Sequence, residues 1–285
     1  MHPMPTRRRF SQVDVFTAEA LRGNALAVVV DAEGLDDRRM AAFARWTNLS
    51  ETTFLLPPSN PAADYRVRIF TPGGELPFAG HPTLGSCRVW LATGGRPRRD
   101  GVVVQECAIG LVPIRTGERL AFKAPPTAVE PADPLLLGRL QAALGLPDDA
   151  VRDAAWLTNG PRQLALWLDD ADRVTSLRPD LGALRALAPG LTQVGVAGPD
   201  AAGPDHPLQV RFFAPALGVD EDPVTGSFHA NLAHWLIDSG RLPRSYVAGQ
   251  GAALGRDGRV HVARDGEGTW IGGDVADCVD GVVLL

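Results

Sequence analysis

Apolar and polar residues alternate through Val67-Arg68-Ile69-Phe70-Thr71, a period of two that puts Val67, Ile69 and Thr71 on one face of a strand and Arg68 and Phe70 on the other. Pro72-Gly73-Gly74 breaks that strand. From Gly80 or His81 the pattern becomes helical. Pro82 suits a first turn, where a missing N–H costs nothing, Leu84, Cys87 or Arg88, and Leu91 follow at helical spacing, and Gly94-Gly95 ends the run. The same order returns later in the chain. Val210-Arg211-Phe212-Phe213-Ala214-Pro215 repeats Val67-Arg68-Ile69-Phe70-Thr71-Pro72 at an offset of 143 residues (67 to 210). Glu221-Asp222-Pro223-Val224-Thr225-Gly226 then matches Glu75-Leu76-Pro77-Phe78-Ala79-Gly80 at 146 (75 to 221). Ser227 opens the second helix, Leu232, Trp235 and Leu236 give its apolar stripe, and Gly240 stops it.

An ordered pair of matching blocks at half the chain length predicts a duplicated protein. A helix over Leu35–Thr47 with Met40, Phe43, Ala44 and Thr47 on one face has its counterpart in Pro179–Ala188. Further strands are predicted at Ala25–Val30, Thr52–Leu56, Gly101–Glu106, Gln163–Leu168, Gln193–Val196 and Arg259–Ala263. Many strands and few helices make the fold class α+β. The proline-rich stretch Lys123–Asp133 reads as the linker. It divides the chain into an N-terminal repeat, 1–124, and a C-terminal repeat, 125–285, with the segment 274–285 free to pack back on the first.

Composition narrows the function. The 285 residues are 45% apolar and 21% charged, with a net charge of −5. An acidic balance with no basic face argues against nucleic acid as the partner. No apolar run is long enough to span a bilayer. Cys87, Cys107 and Cys278 have no CxxC spacing, which points to neither a disulfide framework nor a zinc site and fits a reducing, cytoplasmic setting. His229 and His234 are five residues apart, off a common helical face, so no metal site is expected.

Candidate chemistry gathers at the two helix starts. First-turn N–H groups lack internal partners and carry the positive end of the helix dipole. Two such starts, at Gly80 and Gly226, related by a pseudo-twofold axis, would draw a small carboxylate into a cleft without a metal or a lysine. Around them stand His81, Glu75, Glu221, Asp222, Thr225, Ser227 and His229, and a further acid, Glu51, lies in Asn48-Leu49-Ser50-Glu51-Thr52. The second repeat has Gly190-Leu191-Thr192-Gln193 at the comparable place, without an acid. Each residue also has an ordinary reading: Glu51 as a solvated surface group, His81 as a helix cap, Asp222 as an Asx-turn, Ser227 as an N-cap. A hydrolase triad of Asp222, Ser227 and His81 lacks the GxSxG elbow.

Taken together, Arg22-Gly23-Asn24-Ala25-Leu26-Ala27-Val28, Asn48-Leu49-Ser50-Glu51-Thr52, Glu75-Leu76-Pro77-Phe78-Ala79-Gly80-His81-Pro82-Thr83 and Glu221-Asp222-Pro223-Val224-Thr225-Gly226-Ser227 resemble the PhzF-like family of phenazine biosynthesis. The resemblance implies the diaminopimelate-epimerase fold: two pseudo-symmetric domains, each a β-barrel-like sheet around a central helix. It implies no cofactor, commonly a homodimer, and an isomerase of the trans-2,3-dihydro-3-hydroxyanthranilate type acting on a small carboxylate. The family's acid/base falls on Glu51, and its partners on His81, Asp222 and Ser227. Gly80, Gly226, Ser227 and Thr225 would hold the substrate carboxylate. Related epimerases place a cysteine before each helix-start glycine; Ala79 and Thr225 stand there in this chain, which excludes a two-thiol mechanism. Phe228 and Asn231 depart from residues frequent in the family and bear on the shape of the pocket. An epimerase without thiols and a non-catalytic small-acid binder are the alternatives.

Overall fold

The computed structural model describes residues 6–201 and 207–285 and divides the chain into two compact units. The first takes in the chain up to Lys123 together with Gly272–Leu285; the second is Ala124–Ile271.

The first unit opens with strands β1 (Arg7–Val15) and β2 (Asn24–Val29), helix α1 (Asp37–Thr47), and strands β3 (Glu51–Leu56), β4 (Tyr65–Thr71) and β5 (Gly74–Leu76). Helix α2 (Gly80–Ala92) follows, then β6 (Val102–Cys107), β7 (Gly110–Thr116) and β8 (Leu120–Lys123). The second unit contains β9 (Ala128–Pro131), α3 (Pro134–Leu144), β10 (Val151–Thr158), β11 (Arg162–Leu168), α4 (Ala171–Ser176), α5 (Leu181–Arg185), β12 (Val194–Pro199), β13 (Leu208–Phe213), α6 (Gly226–Asp238), β14 (Ser245–Gln250) and β15 (Gly258–Asp265). β16 (Gly268–Gly273) runs across the boundary, and β17 (Val275–Leu284) returns to the first unit.

Strand pairing makes the duplication explicit. In the first unit β17–β1 and β1–β2 are antiparallel, β2–β3 parallel, β3–β4 antiparallel, β4–β6 parallel and β6–β7 antiparallel. In the second, β9–β10, β10–β11, β11–β12, β12–β13, β13–β14 and β14–β15 run through the same sequence of senses. The fold is α+β, with a pseudo-symmetric sheet in each half wrapped around a central helix.

Helix α2 shows why it is central. It packs against β1, β2, β3, β6, β8 and β17, and Gly80 through Cys87 are all buried. An ordinary surface helix buries one stripe; α2 is enclosed, which explains an apolar pattern running around the whole helix. Gly85 permits the approach of β2, since a Cβ there would lie 2.5 Å from Leu26 Cδ2. On the outer face of the sheet, α1 covers β3 and β4 through Met40, Phe43 and Ala44, which pack with Phe54 and Phe70. In the second unit α3, α4 and α5 supply the corresponding layer, with Leu140, Leu144, Val174, Leu177 and Leu184 packed on Leu166, Val196 and Phe213.

Three expectations need correction. The proline-rich stretch is not an open linker, because Ala128–Pro131 forms β9 and pairs with β10; as an exposed edge strand it tolerates proline. The helix expected over Pro179–Ala188 is reduced to Leu181–Arg185: the Asp180 side chain caps its start, and Pro189 disfavours a helical residue before it. Ser227 does not cap α6. The cap position is Thr225, and Ser227 lies inside the first turn.

Candidate active site

Glu51 is set by a chain of local causes. α1 ends on Asn48 in the left-handed conformation (φ 55°), its N–H closing on Ala44 O. The chain turns through Leu49 and Ser50 and enters β3 at Glu51, opposite Leu26 of the parallel strand β2. Ser50 Oγ donates to Oδ1 of Asn24, a buried residue at the start of β2. Asn24 is fixed in turn by Gly23, whose N–H donates to the buried carboxylate of Asp14 at 2.9 Å. Only glycine fits at 23, because a Cβ would meet Val15 O at 2.2 Å.

His81 comes from the first turn of α2. Nε2 of His81 stands 3.4 Å from Oε2 of Glu51, and the two side chains are only 5% and 15% exposed. Burial pushes the His81 imidazole down to about 3, so it is neutral near pH 7. A neutral imidazole offers one donor and brings no countercharge to the acid. The cap position of α2 is Ala79, which has no side chain able to accept from the first-turn N–H groups at Gly80 and His81. His81 is therefore not a helix cap, and Glu51 is not a solvated surface group.

The start of α6 forms a second cluster within its own unit. Thr225 Oγ1 donates to Asp222 Oδ2 at 2.6 Å, so Asp222 accepts from the residue three positions on. Ser227 Oγ accepts from Gln163 Nε2 at 3.2 Å, and the same amide donates to Gln193 Oε1 at 3.1 Å. Asn231 donates to Gln163 Oε1 and accepts from Thr127, while Asn159 donates to Ser227 O. Asn231 thus belongs to the amide network behind Ser227. Phe228 is fully buried and packs its ring on Gly195, where a Cβ would lie 2.1 Å from it. α6 also lacks a side-chain cap.

Strand register assigns counterparts between the halves. Thr52 faces Phe70 and Val194 faces Phe213, which puts Gln193 at the place of Glu51, while the helix starts put Ser227 at the place of His81. The acid and the imidazole are present in one half only. The sequence did not single out Gln163, Gln193 or Gln250. A glutamine in a strand ordinarily lies on the surface, and burial by the sheet is what gives Gln163 and Gln250 their role, while the half-buried Gln193 accepts from Gln163 just before β12.

A family model described as phenazine biosynthesis-like protein matches residues 13–273. The chain belongs to this family. Among its relatives, the trans-2,3-dihydro-3-hydroxyanthranilate isomerase of Pseudomonas aeruginosa is 36% identical over 267 residues, covering 91% of each chain. The solved structure of a predicted epimerase from Pseudomonas aeruginosa is 30% identical, covers 98% of this chain and 99% of that one, and superposes with a TM-score of 0.80. A hydroxyproline epimerase from Agrobacterium vitis, at 13% identity and a TM-score of 0.61, shares the fold. This PhzF-like chain is an isomerase. Among the described residues no helix is long and apolar enough to cross a membrane.

Proposed function

We propose that this PhzF-like isomerase moves a proton between two carbons of a small carboxylate metabolite, with Glu51 as its single acid/base. The chemistry would be of the kind named for its Pseudomonas relatives, which isomerise trans-2,3-dihydro-3-hydroxyanthranilate. The observation that carries the reading is the mostly buried pair Glu51–His81 at the uncapped start of α2. A carboxylate can take a proton from an acidic C–H and return it at another carbon, which requires the same group to act as base and then acid. His81, held neutral, has one imidazole N–H to offer the substrate beside Glu51. The first-turn N–H groups at Gly80 attract the substrate carboxylate. Asp222, Thr225, Gly226 and Ser227 are proposed as a substrate-binding group of the second unit. Ala79 and Thr225 leave no thiol at either helix start, which favours one carboxylate over the two-base epimerase scheme.

The test is turnover of trans-2,3-dihydro-3-hydroxyanthranilate in D2O by wild type and Glu51→Gln, followed by NMR. Deuterium enters the product with wild type, and the substitution lowers the rate by about 10²–10⁴-fold. Wild-type turnover by the glutamine variant would remove Glu51 from the reaction. Binding without turnover or exchange in the wild-type protein would turn the reading to a small-acid binder, and product of inverted configuration to an epimerase.

A further inference from the structure

The loop before α6 is held from a distant strand. Gln250 ends β14 and is buried, and its amide is fully engaged. Oε1 accepts from Thr225 N at 3.1 Å and lies 2.9 Å from His229 Nε2. Nε2 donates to Asp222 O at 2.9 Å and to Thr225 Oγ1 at 3.1 Å. An amide oxygen has no hydrogen to give, so His229 Nε2 must carry the proton. Burial keeps that imidazole neutral by pushing it down to about 4. The hydrogen bonds then run in one direction, from His229 to Gln250 to Thr225, whose hydroxyl donates to Asp222 Oδ2. Each donor is spent, so neither the amide nor the hydroxyl can turn without breaking a buried bond.

The first unit does without this arrangement. The repeat puts Leu76, Ala79 and Thr83 at the places of Asp222, Thr225 and His229. Tyr65 faces Gln105 in the β4–β6 pair and Val210 faces Gln250 in the β13–β14 pair; carrying the first register two residues on puts Cys107 at the place of Gln250. Yet α2 starts at Gly80 as α6 starts at Gly226, with Thr83 bonded only back to Ala79 O and across to Gln105. The fold therefore begins its central helix without the quartet. We infer that Gln250 is a positioning residue that fixes Asp222 and Thr225 for substrate, with His229 locking its amide. The inference rests on the reading of the α6 start as a substrate-binding group.

The experiment uses the full chain with Gln250→Leu, Asp222→Asn and the double variant. Hydrogen exchange of the Thr225 amide, which needs no substrate, is read by NMR. kcat/KM is read on trans-2,3-dihydro-3-hydroxyanthranilate. Gln250→Leu is expected to speed exchange at Thr225 by at least about tenfold and to lower kcat/KM on the order of 100-fold. In the Asp222→Asn background the same change should cost no more than about twofold, because its effect has already been removed. Gln250→Asn, which keeps the amide but falls one methylene short, serves with the same expectations if the leucine variant does not fold. Equal losses in both backgrounds, or a Thr225 amide still protected without Gln250, would overturn the inference. Full activity in Asp222→Asn would instead sink the substrate-binding reading, and Thr225 exchange would still decide whether Gln250 holds the loop.

Discussion

Each half of the duplicated chain carries an arginine–glutamate pair between the strand and the loop that leads to the central helix, and the two pairs differ in burial enough to predict different energies. Arg68 meets Glu75 through Nε and one terminal nitrogen at 2.7 and 2.6 Å, and Arg211 meets Glu221 in the same bidentate way at 2.9 and 2.7 Å. Both guanidinium carbons lie 5.1 Å from the ring of a phenylalanine two residues on, Phe70 and Phe213. The side chains of Arg211 and Glu221 are 7% and 10% exposed, those of Arg68 and Glu75 are 24% and 40%, and Arg68 keeps a second acid in Asp37. Glu221→Gln strands a buried cation whose remaining acceptors are carbonyls such as Leu177 O at 2.8 Å. Removing one partner of a buried pair costs about 3–5 kcal/mol, and removing one from a solvated pair at most about 1 kcal/mol. At about 2–4 °C per kcal/mol for a domain of this size, Glu221→Gln should lower Tm by roughly 6–20 °C and Glu75→Gln by no more than about 4 °C. Differential scanning calorimetry at pH 7 measures both. Arg211→Met combined with Glu221→Leu should recover much of the loss, since the penalty is the uncompensated charge and not the missing pair. Equal shifts for the two glutamine variants would refute the burial argument.

Acid should weaken the fold before most carboxylates titrate. His81 and His229 are held at about 3 and 4 when folded, against 6.5 as free groups, so the unfolded chain binds protons first. Stability is complete above about pH 6.5 and is lost as pH falls from there toward the folded values, by about 2 kcal/mol for each histidine at pH 5; urea midpoints that do not move between pH 7 and 5 would contradict this. Gly195→Ala places a methyl 2.1 Å from the Phe228 ring and should cost about 1–3 kcal/mol in urea unfolding, with recovery when Phe228→Leu is added. Of the three thiols, only Cys278 should react quickly with a disulfide reagent in the native protein. Cys87 is buried and pushed up to about 12, and burial also raises Cys107; fast modification of two or more thiols would count against the packing around α2.

What the chain revealed before folding was whatever its short-range pattern encodes. The change from period two to helical spacing, punctuated by Pro72-Gly73-Gly74 and by Gly80 and Gly226, located both central helices and the pairing of the halves. β9 stayed hidden because an exposed edge strand carries no apolar signal and its prolines read as linker. β17 stayed hidden because most of its residues remain partly or fully exposed although it is bonded along the length of β1. Glu51 and His81 stood out through the motifs around them. Their 3.4 Å approach depends on how β3 and α2 pack, which no local pattern states. Gln250 was illegible for the same reason: it lies 25 residues from Thr225 in sequence, and only the β13–β14 register brings it to the loop.

The discontinuity of the first unit has a consequence for biosynthesis. Ala124–Ile271 is a single stretch and can finish folding as soon as it leaves the ribosome. The opening stretch of the chain is made earlier but must wait, because β1 finds its outer neighbour only in Val275–Leu284. Until that strand is synthesised, one side of β1 is an unpaired edge, open to the wrong partner. The order of completion therefore reverses the order of translation, and the nascent first half is the part for which a chaperone would matter.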